Sequence, residues 1–208
     1  MLHVRCRLVR RDAIIGATIR VVGGRGYRAT TVGDIIAAAG VTRTTFYKHF
    51  ADRHKCFLAA FDLVAERVVA AVEKGCASER SWTARARGGL ASLVELFVAE
   101  PELARVAVVE PVLADAETRR RQLDAIERCA RMLERGQDDG ADRSSGDKVA
   151  GGIGLMAVGA ATGLIFDEIQ AGRATELSDR LPDLLFALLV PYVGPKKAVL
   201  GAFSASYS

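Results

Sequence analysis

The run TVGDIIAAAGVTRTTFYKHF, residues 31–50, reads as two short helices joined by a turn. Thr31 is placed to cap the free N–H groups of the first, and Asp34, three residues on, completes a capping box. Ile35 and Ala39 then share a face. Gly40 suits the left-handed conformation that ends a short helix. Thr42 opens the second helix, where Phe46 and Phe50 stand four apart on an inner face. Ile35, Ala39, Val41, Phe46 and Phe50 can pack inward, and Ala37-Ala38-Ala39 lets the helices cross closely. Thr42, Arg43, Thr44, Thr45, Tyr47, Lys48 and His49 can face out. They form a donor-rich surface without an acid, which suits a groove of phosphates and base edges. This is the logic of a helix-turn-helix, whose second helix enters the major groove. Spacing and composition alone also fit an αα-corner with a solvated basic face.

Outward from this pair the pattern stays helical. Residues 10–24 carry Ile14, Thr18, Val21 and Val22 on one face, with Gly23, Gly24 and Gly26 as a stop. Asp52 caps a long helix whose stripe is Phe57, Phe61, Val64, Val68 and Val72, fading near Gly75 and Cys76. Further helices are expected over residues 82–99, from Pro101 to about Val109, and over 115–135, with Pro111 as a breaker. Residues 136–146, GQDDGADRSSG, read as a loop. Residues 147–172 and 178–193 read as the last two helices, and Pro195 onward as a tail. No strand pattern or internal repeat is evident. The expected class is all-α. An N-terminal three-helix helix-turn-helix domain (1–55) is joined by a long helix to a C-terminal helical bundle (56–194), followed by a tail (195–208).

Charge is divided along the chain. Residues 1–55 hold eleven Lys/Arg against three acids, a balance of +8, whereas residues 56–208 hold eighteen against twenty-two, a balance of −4. A basic quarter on an acidic body suggests a polyanion-facing module attached to something else. The four cysteines, Cys6, Cys56, Cys76 and Cys129, stand apart without a CxxC, so neither a disulfide framework nor a zinc site is indicated, which suits a cytoplasmic protein. His54 and Cys56 are only two ligands, at i and i+2 on different helix faces. The basic N-terminus lacks the apolar core of a signal peptide. Residues 149–166 carry no charge for eighteen positions but are rich in Gly and poor in Leu, and are expected to be a closely packed buried helix rather than a membrane span.

The stretch GYRATTVGDIIAAAGVTRTTFYKHFADRHKCF, residues 26–57, resembles the N-terminal domain of TetR-type regulators. The matches are Gly26-Tyr27, Ala29-Thr30, Thr31, Asp34-Ile35, Ala38-Ala39-Gly40-Val41, Phe46-Tyr47, His49-Phe50 and the basic Arg53. The resemblance covers about residues 10–60; the remainder agrees only in helix count and size. It implies nine or so helices, a homodimer, a palindromic double-stranded operator, and a ligand-sensing and dimerisation domain over 56–194 in which a small molecule binds and releases the DNA. Carried over residue by residue, Arg43, Thr44, Thr45 and Lys48 are base-edge candidates. Thr31, Thr42, Tyr47, His49 and Arg53 are phosphate candidates. Two departures stand out. Gly23-Gly24 replaces the usual Ala and polar helix former, so the first helix is expected to end early, and Lys55 replaces a common acid.

Gly152-Ile-Gly154-Leu-Met-Ala157 fits a dinucleotide fingerprint with Glu176 about twenty residues on, but it lacks the preceding strand that such a site needs. No catalytic elbow, metal motif or carboxylate pair appears, so neither an enzyme nor a cofactor is expected. An architectural DNA binder needs far less chain than the C-terminal part supplies. An activator of the same architecture remains open beside a repressor. Gly152, Gly159 and Gly163, with Leu181, Leu184, Leu185 and Leu188, are the expected dimer contacts. Trp82, Phe97, Met132, Met156 and Phe166 are candidates to line a pocket for a mostly apolar effector, and each also fits plain core.

Overall fold

A computed structural model describes residues 2–77, 79, 81–138 and 152–203, with side chains described over 10–77, 79, 81–134 and 152–202. Among the described residues there is no strand, as the all-α reading expects. The helices are α1 (Leu2–Arg25), α2 (Val32–Ala39), α3 (Arg43–His49), α4 (Arg53–Ala77), α5 (Trp82–Ala99), α6 (Pro101–Val108), α7 (Glu110–Ala114), α8 (Ala116–Asp138), α9 (Ile153–Gln170) and α10 (Leu181–Phe203), with a 3-10 helix over Ala174–Arg180.

The chain forms two compact units, each assembled from two stretches of sequence. The first comprises residues 1–66 and 101–122. Its centre is a cluster of Ile14, Ile15, Ile35, Phe46, Phe50, Cys56 and Ala60, contributed by α1, α2, α3 and α4. Ile14, Ile35 and Phe46 are fully buried there, because the 3.6-residue period brings one apolar stripe per helix onto the same point. Thr18 is buried without penalty: its hydroxyl donates to Ile14 O at 2.8 Å and meets Cys56 Sγ at 3.1 Å. Burial pushes the Cys56 thiol up to about 11, against the opposing hydrogen bond with Thr18.

One departure noted in the sequence resolves differently from expectation. The first helix does not stop at Gly23-Gly24 but runs to Arg25. At Gly23 a Cβ would meet Glu102 of α6, with its Cα at 2.6 Å. The missing side chain therefore serves a close helix crossing rather than a helix end.

The second unit comprises residues 67–100 and 123–208. Leu90, Val94 and Phe97 of α5, Ala157, Ala161, Ile165 and Ile169 of α9, and Leu184, Leu185, Leu188 and Leu189 of α10 are buried in it. The chain turns after α9 around Glu168, whose carboxylate accepts from Arg173 Nε at 2.6 Å and Arg180 Nε at 3.1 Å. Hydrogen bonding from Arg173 holds that carboxyl below its ordinary range.

Several boundaries depart from the sequence reading. Residues 136–138 continue α8 rather than opening a loop, and the rest of the expected loop, with residues 147–151, lies outside the described residues. The expected tail is helical to Phe203: Gly194, at φ 73° and ψ 165°, interrupts α10, and Ala198 and Ala202 beyond it are buried. Gly201 there lies against Leu189. Pro195 does not prevent this continuation, because a proline at the start of a new helical segment is tolerated. Over its described residues, 152–166, the uncharged stretch is buried on one face only. Both α9 and the segment of residues 174–202 are long and apolar enough to cross a membrane by length and composition, but α9 sets Ala157, Ala161, Ile165 and Ile169 into the unit and leaves Leu155, Met156 and Leu164 exposed on the other side.

Candidate nucleic-acid interface

The helix pair α2–α3 is built largely by local chemistry. Thr31 caps α2: its Oγ1 accepts from the Asp34 amide at 3.2 Å, and the Asp34 carboxylate accepts in return from the Thr31 amide at 2.8 Å. These bonds from Thr31, helped by Arg25 at 2.9 Å, hold the Asp34 carboxyl below its usual range, so the box is closed at neutral pH. Gly40 ends α2 in the left-handed region, at φ 64°, where its N–H reaches back to the last turn. Thr42 then caps α3 through the Thr45 amide at 3.2 Å.

Phe46 and Phe50 lock α3 onto the core, and Tyr47 packs edge-on against Phe46 at 5.3 Å between ring centroids. With that face fixed, Thr42, Arg43, Thr44, Tyr47 and Lys48 are exposed. Tyr47 keeps 48% of its surface in solvent, far more than a core aromatic would. Thr45 and His49 are half-buried, and the Thr45 hydroxyl is 2.9 Å from that of Thr42. The exposed side of α3 thus gathers a guanidinium, an ammonium, a phenol and hydroxyls with no acid, a surface able to donate to phosphates and base edges.

Arg53 has a different place from the other phosphate candidates. Its Nη1 donates to Tyr27 O at 3.2 Å and to Thr30 O, and its guanidinium lies 4.3 Å from the Tyr27 ring centroid. Tyr27 stacks in turn on Phe57 at 4.4 Å. Burial pushes the Tyr27 phenol up, against the opposing charge of Arg53. Arg53 therefore braces the turn that leads into α2.

The remaining site candidates all belong to the second unit. Leu184, Leu185 and Leu188 are buried within it, and Leu181 is half-buried, so the three buried leucines are core and not the apolar area of a dimer face. Sequence periodicity showed that α10 has an apolar stripe but not which neighbour covers it. Gly152 caps the start of α9. Gly159 and Gly163 face open space, beside the exposed Leu155, Met156 and Leu164. Among the effector candidates Phe97 is buried, Met132 and Phe166 are half-buried, and Trp82 donates from Nε1 to Leu133 O at 2.8 Å and packs on Tyr192 at 5.0 Å. Met156, at 71% exposed, does not line an interior.

Sequence reasoning missed two buried polar residues of the first unit. Glu110 accepts from the Tyr27 amide, and Gln122 donates to the carbonyls of Ala107 and Val108. The Arg105–Glu110 ion pair is local, but nothing near either residue points to the Tyr27 amide, 83 residues from Glu110, or to the carbonyls 14–15 residues from Gln122.

Residues 14–60 match the family described as bacterial regulatory proteins, tetR family. The N-terminal domain belongs to the TetR family. That match spans the α2–α3 pair and the helices that brace it. The fold as a whole is that of TetR-family transcription regulators. A TetR family regulator from Marinobacter aquaeolei VT8 is 23% identical with a TM-score of 0.61, covering 97% of this chain and 95% of that one. SmeT, the repressor of the SmeDEF multidrug efflux pump of Stenotrophomonas maltophilia, is 22% identical with a TM-score of 0.62, over 87% of each chain. FadR from Bacillus subtilis, solved with stearoyl-CoA, is 20% identical with a TM-score of 0.60, over 91% of this chain and 98% of that one. No curated protein sequence matches this chain.

Proposed function

We propose that the chain is a ligand-responsive transcriptional repressor that binds a palindromic operator as a homodimer and is released by a small, mostly apolar effector. The carrying observation is the exposed, acid-free donor face of α3, held rigidly by the caps of Thr31 and Thr42 and by buried Phe46. Residues 1–55 act as the reader and 56–194 as the sensing and dimerising part, in a cytoplasmic protein. Arg43, Thr44, Thr45 and Lys48 read base edges. Thr31, Thr42, Tyr47 and His49 grip phosphates, with Arg53 supporting them from behind.

Dimerisation runs through the open face of α9, where Gly159 and Gly163 permit close approach between Leu155, Met156 and Leu164. Two readers must then match half-sites about 34–36 Å apart, or multiples of that. The helix α4, 25 residues and so about 37 Å long, begins just after the reader and is the connector. An effector that prefers one packing of α4 selects one reader spacing and acts only through that difference in affinity.

The transcriptional regulator FadR crystallised with stearoyl-CoA and the efflux-pump repressor are relatives in fold, and both are compatible with an apolar effector here. The test is selection of duplexes from a random pool by the full chain, followed by titration and sedimentation. Enrichment of a two-fold symmetric sequence bound by a dimer is the expected result. A monomer with no sequence preference overturns the reading.

A further inference from the structure

Glu110 opens α7, beside the joint with α6, and is only 2% exposed. Its two oxygens serve two different elements. Oε2 accepts from the Tyr27 backbone amide at 2.7 Å, and Oε1 accepts from Arg105 Nε of α6 at 2.9 Å. Gly26, at φ 85°, holds the left-handed conformation that starts this turn, and a Cβ there would meet Oε1 only at ordinary contact distance, 3.5 Å.

The turn of residues 26–30 that Glu110 grips leads straight into Thr31, the N-cap of α2. From the other side Arg53 takes the carbonyls of Tyr27 and Thr30, and the Thr30 hydroxyl donates to Gly26 O at 2.8 Å. The turn is therefore held by α4 through Arg53 and by the α6–α7 joint through Glu110. The joint is itself anchored. Pro111 has no N–H, so Ala107 O lacks its ordinary helical donor. Gln122 Nε2 of α8 supplies one at 2.8 Å and also reaches Val108 O at 3.0 Å.

We infer that Glu110 is a positioning residue for DNA recognition: by fixing the Tyr27 amide against the α6–α7 joint it sets where α2 and α3 stand. The inference rests on the operator-binding function proposed above. An ionised carboxylate accepts at both oxygens, and such charge-assisted bonds are short and strong. A glutamine of the same shape has one oxygen and one NH2, so it must face either the Tyr27 N–H or Arg105 Nε with a donor. One of the two grips is then lost without a change of volume.

The experiment compares the full-length wild type with Glu110→Gln and Arg105→Gln. Each is titrated with the duplex that the wild type selects from a random pool and with an unselected duplex of equal length. Loss of folded protein weakens both titrations equally and cancels in the ratio of dissociation constants; displacement of α2–α3 does not. The expected result is a fall of at least tenfold in that ratio for Glu110→Gln, with a smaller fall in the same direction for Arg105→Gln. The Tyr27 amide should also exchange faster in Glu110→Gln. If Glu110→Gln does not fold, the Arg105→Gln ratio decides, and an unchanged value overturns the inference. An unchanged ratio in a folded Glu110→Gln overturns it as well, while leaving operator binding intact. A wild type that selects no sequence overturns the operator reading, and this inference with it.

Discussion

Gly23 of α1 lies so close to the backbone of Glu102 of α6 that a Cβ on it would be 2.6 Å from the Glu102 Cα. Its neighbour Gly24 faces open space, with nothing within 4 Å. The two adjacent glycines therefore respond oppositely to the same change. Gly23→Ala forces backbone apart and is expected to lose about 1–3 kcal/mol. Gly24→Ala gains helix propensity and is expected to be stabilising by up to about 1 kcal/mol. Chemical denaturation of both variants is the check, and equal midpoints would show that the crossing is not close.

The reader is expected to separate into two classes of residue. Arg43→Ala should lose about 1–3 kcal/mol of discrimination at one base pair, because an arginine can bind a guanine through two hydrogen bonds. Tyr47→Phe should weaken all duplexes alike, since a phosphate contact carries no base information. Titrations against a panel of single-base variants of the selected duplex distinguish the two patterns. Arg53→Gln should lower thermal stability as well as binding, because it removes the brace on Tyr27 and Thr30.

The corrected roles of the leucines and of the α9 face give a paired test of the dimer. Leu184 is fully buried, so Leu184→Ala should cost about 2–5 kcal/mol of stability. Met156→Glu places a charge on an exposed site and should leave protomer stability nearly unchanged while weakening association. Analytical ultracentrifugation beside thermal unfolding reads both quantities. A Met156→Glu variant that stays dimeric at low micromolar concentration would place the interface elsewhere.

Acid should loosen the turn after α9. Arg173 and Arg180 depress the Glu168 carboxyl, so its contribution is fully present above the unfolded value, about 4.3. It is lost as pH falls through the lower folded value. Glu117, held low by Arg121 and His54, and Glu100, held low by Arg67, act in the same direction. The expected outcome is a melting temperature that falls below about pH 4.5 and falls less steeply in Glu168→Gln. Equal slopes would remove Glu168 from the cause.

The helix pair that carries the proposed site was legible because its chemistry is local. The Thr31–Asp34 box, the Gly40 turn and the Thr42–Thr45 cap all join residues three to five apart, and the stripe of Phe46 and Phe50 fixes which side of α3 is left for solvent. These are short-range hydrogen bonds and helical periodicity, and the sequence by itself settled them along with the all-helical class. Tertiary structure alone decided what covers each apolar stripe. Leu184, Leu185 and Leu188 look like an interface until α10 is packed into its own unit. Gly23 looks like a helix stop until α6 is laid across it, and Arg53 looks like a phosphate ligand until the carbonyls of Tyr27 and Thr30 are brought under it. Glu110 shows only its local pairing with Arg105, because the amide it holds is 83 residues away. A period tells a residue which face it occupies; only the packed chain supplies the partner on the other side.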